Sequence, residues 1–245
     1  MLTEERRAYL ELHIAVLLFG LTAILGDLIQ LTALVLVWWR VLLTSGSLLP
    51  FVKVRQLYTD LGAGLFWRFA GIGVLVALHW VTFYGAIKLS NASICLVCMA
   101  TTSFFTSFLE PLIVKRPFRW YELLLGILII PGMALVVTNI RTDMMWGVVA
   151  GLASAFLAAT FATFNKKYLA QHHPPRITFL ELSSAWVFLS FVLGFLPMRC
   201  FFFFKVKVPN FVIFTFLCSI IFVKISSNTS SNKFSLIFFE KPICI

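Results

Sequence analysis

Long apolar runs separated by short polar gaps organise this chain. A window of about 20 residues, the length of helix that crosses hydrocarbon, resolves the runs into helices near 13–31, 33–52, 66–87, 91–113, 120–140, 144–164 and 178–197. A weaker eighth covers about 209–225. The gaps Lys88–Asn91 and Lys115–Arg119 are too short to hold a soluble domain. The runs on either side therefore connect as antiparallel membrane helices, which satisfy their own backbone groups in lipid. The predicted fold class is an all-α polytopic membrane protein.

Composition agrees: 60% of the 245 residues are hydrophobic and 12% charged, far from the balance of a soluble domain. A net charge of +10 would suggest nucleic acid if the basic residues shared one face. Here they fall in the gaps between apolar runs and act as topology signals. One side receives Arg6, Arg7, Lys53, Arg55, Arg68, Lys115, Arg116, Arg119, Lys166, Lys167 and Arg176, the other only Lys88, Arg141 and Arg199. That bias places the amino terminus, residues 1–12, in the cytoplasm. The first run lacks a small-residue cleavage site and is followed at once by another span, so it is an uncleaved helix.

Five helices from 13 to 140 bring the chain to the outer side, so a unit that starts again near Trp146 enters from the opposite side to the first. The segment 146–164, "WGVVAGLASAFLAATFATF", echoes 13–31, "HIAVLLFGLTAILGDLIQL"; both are rich in Gly, Ala and Thr. An inverted repeat with a site near the midplane is a recurring architecture of secondary transporters.

The segments "VWWRVLL" at 37–43, "LHWVTFYGAIKLSNASI" at 78–94, "TSFLEPLIVKRPFRWYELLLGILIIPG" at 106–132 and "ATFATFNKKYL" at 159–169, in that order, resemble the EamA-type drug/metabolite transporters. The resemblance covers roughly 10–197 and implies a ten-helix inner-membrane exporter of bacterial type. Its two inverted five-helix repeats would move small metabolites, amino acids or drugs. Residues 13–140 correspond to the first repeat and 144–197 to part of the second. From Cys200 the composition changes to Phe, Lys, Ile, Asn and Ser, residues of AT-rich codons. The tail at 198–245 is therefore expected to be atypical, the mark of a frameshift, a premature end or a mispredicted gene. The alternative to a transporter is then a truncated, non-transporting remnant or scaffold. A homodimer would be one way to complete the cavity, although the strong charge bias argues against dual insertion.

Candidate chemistry lies in the few polar groups inside the spans, where an ionisable side chain costs about 2.5–3.5 kcal/mol on insertion scales. Arg40 is expected either to hold a substrate carboxylate by a two-point contact or to snorkel outward or pair with Asp27. His79, Trp80, Thr82 and Tyr84 form an aromatic and polar cluster. His79 there either binds substrate or relays a proton, or else donates to a neighbouring helix carbonyl.

Thr102, Thr106 and Glu110 recur every four residues and share one helical face. They could line a cavity, but Lys115, Arg116 and Arg119 stand close by, and an interfacial ion pair is the stronger expectation for Glu110. Pro111 ends or kinks that helix. Glu181, at the cytoplasmic start of the seventh helix, is either the second repeat's polar counterpart or, the stronger expectation at that depth, a solvated interfacial carboxylate.

Gly147, Gly151, Ala155, Ala159 and Thr163 repeat every four positions and mark a close helix contact, inside the chain rather than at a dimer seam. Cys95 and Cys98 are expected to pack, and His172–His173 to be solvated. No metal or cofactor is implied, and the absence of an HExxH motif, paired aspartates or a Ser/His constellation argues against an enzyme. The expected partners are the lipid bilayer and a small-molecule substrate.

Overall fold

The computed structural model describes residues 4–29, 31–52, 54, 57, 61–137, 141–169 and 174–195. The weak helix at 209–225, the tail at 198–245 and the His172–His173 pair lie outside the described residues. The elements are α1 (Glu4–Leu28), α2 (Ala33–Leu48), α3 (Gly62–Leu89), α4 (Ala92–Ala100), α5 (Thr102–Val114), α6 (Trp120–Val137), α7 (Met145–Leu169) and α8 (Pro174–Gly194). Among the described residues there is no strand. Gly62–Leu89, Ala92–Val114, Thr142–Tyr168 and Pro175–Gly194 are long and apolar enough to cross a membrane, and Ala33–Leu48 and Trp120–Val136 are shorter apolar helices.

Several helix ends differ from those expected, because charge stops an apolar run without stopping a helix. α1 starts at Glu4 rather than 13, so most of the presumed cytoplasmic segment is helical. α7 runs through Lys166 and Lys167 to Leu169, where long basic side chains reach the interface while the backbone stays helical. α2 stops at Leu48, before the 3-10 turn Leu49–Phe51 that contains Pro50.

The span expected at 91–113 is broken at Thr101 rather than at Pro111. The Thr101 amide and hydroxyl both turn onto the Cys98 carbonyl, at 3.1 and 2.6 Å, which tightens the turn. Pro111 sits inside α5, which continues to Val114 and ends at Lys115 with φ 61°. Asn91 caps α4 by accepting from the Ile94 amide at 2.8 Å.

α3 is the hub. It packs on α7 and α8 most extensively and also on α1, α2 and α4, while α7 continues the contact onto α4 and α5, and α6 lies on α5 and α4. Phe69, Ile72, Ala77, Phe83, Ala86 and Ile87 of α3 are buried in the centre. Large apolar side chains such as Trp67, Leu128, Leu135 and Phe191 point outward, as a surface solvated by acyl chains requires.

Lipid is as apolar as leucine, so helix association depends on close packing and interhelical hydrogen bonds. Both are present. A Cβ on Gly151 would lie 2.8 Å from Cys98 Cβ, and one on Gly147 would lie 2.5 Å from Ser90 Cβ. Ala155, Ala159 and Thr163 continue that stripe fully inside the chain, so α7 lays its small residues against its own neighbours. Between α2 and α8, Trp38 Nε1 donates to Ser190 Oγ at 2.8 Å and the Ser45 and Ser183 hydroxyls are 3.1 Å apart.

Candidate functional site

Arg40 stands midway along α2, and the side chains that meet it come from one face of α3. Trp80 and Tyr84 are one helical turn apart. The Arg40 guanidinium lies 4.5 Å from the Trp80 ring centroid and 5.6 Å from that of Tyr84, and its Nη1 donates to the Tyr84 hydroxyl. A cation over an indole face is held by the ring quadrupole, so the group is kept in place without a carboxylate. Among the described residues no carboxylate forms an ion pair with Arg40. The expected pairing with Asp27 across the turn is replaced by Lys88, whose Nζ donates to the carbonyls of Asp27 and Ile29.

Tyr84 is fully buried, and its ring occupies the place where a side chain on Gly26 of α1 would be: a Cβ there would lie 2.4 Å from Tyr84 Cε1. Gly26 thus fixes the phenol that faces Arg40.

His79 and Phe83 occupy a different face of α3, turned to α7. His79 Nδ1 lies 2.9 Å from the Ser154 carbonyl oxygen, and the imidazole stacks obliquely against Phe161 at 5.4 Å. His79 is buried and engages a neighbouring helix backbone, next to the Arg40 cluster but not within it.

Thr102, Thr106 and Glu110 fall in another neighbourhood, since α5 packs chiefly on α6 and α7 while α2 packs on α3 and α8. The Thr106 hydroxyl donates to the Thr102 carbonyl at 2.8 Å. Thr102 Oγ1 is buried and, among the described residues, has no hydrogen-bond partner. Glu110 is buried and takes Lys166 Nζ from α7 on Oε1, and Arg116 Nε lies 2.8 Å from the same oxygen, off the line of a hydrogen bond.

Arg116 also grips Glu122 with both terminal nitrogens, the two-point geometry that guanidinium and carboxylate share. Arg119 adds a looser contact to Glu122 at 3.7 Å. Hydrogen bonding to Glu122 raises the Arg116 pKa above its ordinary value, the negative charge of Glu110 and Glu122 adds to this, and partial burial opposes it. The ends of α5, α6 and α7 are thus tied by one charged network.

Glu181 departs from its expectation as a solvated carboxylate. It is 6% exposed, enclosed between α3, α7 and α8, and among the described residues its carboxylate accepts one hydrogen bond, from Asn165 Nδ2 at 3.3 Å. Sequence position alone placed it near the membrane surface. At Gly73, α3 comes so close to the backbone of this turn of α8 that a Cβ would lie 2.2 Å from the Glu181 carbonyl oxygen. Gly73 and Asn165 carry the signal that the sequence reading passed over. Cys95 and Cys98 are buried, unlinked packing residues, and among the described residues no cluster of His, Cys, Asp or Glu could hold a metal ion.

Comparison with curated proteins and with solved structures finds no match. The EamA-like transporter family matches residues 6–138, which takes in α1 to α6 and with them Arg40, His79, Trp80, Tyr84 and Glu110. The match spans more than half of the chain and coincides with apolar helices long enough to cross a bilayer, so this multi-pass membrane protein belongs to the EamA-like transporter family, of the drug/metabolite transporter superfamily.

Proposed function

We propose that the chain exports small metabolites, amino acids or drugs by alternating access, with Arg40 as the anchor for an anionic group of the substrate. The observation that carries this reading is a guanidinium midway along a helix, held on the Trp80 face and the Tyr84 hydroxyl, with no carboxylate paired to it among the described residues. A charge at that depth costs several kcal/mol unless it is matched, and a substrate carboxylate or phosphate would match it by a two-point contact. Trp80 and Tyr84 position the guanidinium and offer an aromatic wall to the rest of the molecule. Thr102 and Thr106 on α5 stand apart from this cluster and offer a second polar strip. His79 holds α3 to α7 beside the Arg40 cluster through Ser154, and Glu110 holds α5 to α7 through Lys166.

The excess of basic residues on one side supports an amino terminus in the cytoplasm, and the family resemblance supports a bacterial-type inner membrane. The Glu110–Arg116–Glu122–Lys166 network then lies at the inner end, where it ties α5, α6 and α7.

The reading is tested by substrate efflux from cells or proteoliposomes carrying the full chain with Arg40→Ala, Arg40→Lys or the Arg40→Ala, His79→Ala double substitution, insertion being checked by membrane yield. Arg40→Ala should lower flux of anionic substrates by about tenfold or more, the loss of one charge-assisted contact. Arg40→Lys should restore only part of it, because an ammonium lacks the planar fork. Full transport by the double variant would overturn the assignment.

A further inference from the structure

Glu181 presents a carboxyl group whose bonding is half complete. Asn165 Nδ2 donates to its Oε2 at 3.3 Å, while Glu181 Oε1 and Asn165 Oδ1 are both buried and, among the described residues, both without a hydrogen-bond partner. The two orphan atoms belong to neighbouring side chains, and each is an acceptor if the carboxyl is ionised. A single proton on Oε1 changes this, since an acid and an amide face to face share one N–H···O and one O–H···O bond. The first is present. Both oxygens needed for the second are buried and unpartnered.

Among the described residues no counter-charge competes for the site. Arg68 on α3 and Lys167 on α7 lie over the Tyr168 ring, Lys166 pairs with Glu110, Arg40 on α2 faces Trp80 and Tyr84, His79 bonds Ser154, and Lys88 bonds the carbonyls of Asp27 and Ile29. Arg176 of α8 itself is half-buried, and among the described residues no ion pair reaches Glu181. An ionised carboxylate buried without a cation carries a large desolvation penalty. On the α3 side the approach at Gly73 leaves no room for water against the Glu181 backbone.

We propose that Glu181 is a proton-binding site, carrying in this conformation an exchangeable proton that completes an acid–amide pair with Asn165. When α7 and α8 separate and water enters, the O–H bond breaks, the proton passes to water, and water solvates both oxygens; closing again without the proton would bury two acceptors with no hydrogen to share. Proton loss therefore opposes closure of this interface. That links an ion gradient to the helix rearrangement of alternating access, a link that rests on the transporter reading above.

The test is infrared spectroscopy of the purified full chain in lipid nanodiscs at neutral pH, read in the carbonyl stretch of a protonated carboxylic acid. The expected result is a band equal to one carboxyl group, absent in Glu181→Gln, shifted in Asn165→Ala and unchanged in Glu110→Gln. Because Asn165→Ala leaves the carboxyl in place, it keeps the assignment testable even if Glu181→Gln folds poorly. Absence of the band in the unmodified chain, or its survival in Glu181→Gln, overturns the proposal. So does a thermal stability that rises with sodium but not with potassium and does not respond to pH, which would make the site one for a metal cation. The measurement involves no transport: failure of the band removes the proton site alone, and absence of flux in a chain that shows the band removes the transporter reading alone.

Discussion

His79 and Ser154 hold each other across α3 and α7: His79 Nδ1 lies 2.9 Å from the Ser154 carbonyl oxygen, and Ser154 Oγ donates to the His79 carbonyl at 3.1 Å. The tautomer with its proton on Nδ1 satisfies both bonds at once. Ser154 is fully buried, with Met99 Sδ 3.6 Å from its hydroxyl. Ser154→Ala removes the side-chain half of this clasp and leaves the backbone half. The expected cost is about 0.6 kcal/mol, as for hydrogen bonds between membrane helices, read as a small drop in thermal stability with no change in membrane insertion. His79→Ala also removes the contacts to Phe83 and Phe161 and should destabilise several times more.

Tyr84→Phe keeps the ring that packs against Gly26 and removes only the hydroxyl that accepts from Arg40 Nη1. Yield should stay at the level of the unmodified chain. The Michaelis constant for an anionic substrate should rise several-fold, because the guanidinium loses one of the two side chains that orient it. Trp80→Leu removes the cation–π support and should act in the same direction, by about 1 kcal/mol of binding.

Gly73 and Gly71 make a matched pair on α3. A Cβ at Gly73 would lie 2.0 Å from Ser184 Oγ and 2.2 Å from the Glu181 carbonyl oxygen, while one at Gly71 meets nothing within 4 Å. Gly73→Ala should force α8 away from α3 and cost about 1–3 kcal/mol or more, the range for overpacking. Gly71→Ala should leave melting temperature and membrane yield unchanged. Equal behaviour of the two variants in a thermal shift assay would contradict the close approach of these helices.

In the charged network, Arg116 and Arg119 both reach Glu122, but the Arg116 side chain is 19% exposed and that of Arg119 53%. Arg116→Ala removes the two-point partner of buried Glu122, leaving it only the looser Arg119 contact while Glu110 keeps Lys166, and should destabilise in the direction of about 3–5 kcal/mol for a broken buried pair. Arg119→Ala should cost well under 1 kcal/mol, as exposed pairs do. Urea or detergent unfolding of the two variants side by side checks the order.

The apolar runs by themselves determined that this chain is a bundle of membrane helices, which gaps are turns, and that α7 carries a stripe of small residues, because hydrocarbon permits few backbone arrangements and periodicity along a helix defines its faces. The candidate residues Arg40, Trp80 and Tyr84 were legible too, since polar and aromatic groups within apolar runs are few. Only the tertiary structure decided which face meets which neighbour. It joined Arg40 to side chains 40 and 44 positions along the chain, set His79 against Ser154 and placed Glu110 between Arg116 and Lys166. It also broke a span at Thr101 rather than at Pro111 and buried Glu181 between α3, α7 and α8. Sequence spacing states which side chains share a face, but the partner of that face depends on helix rotation, crossing angle and the distance of closest approach, which are set by all the contacts of the bundle together.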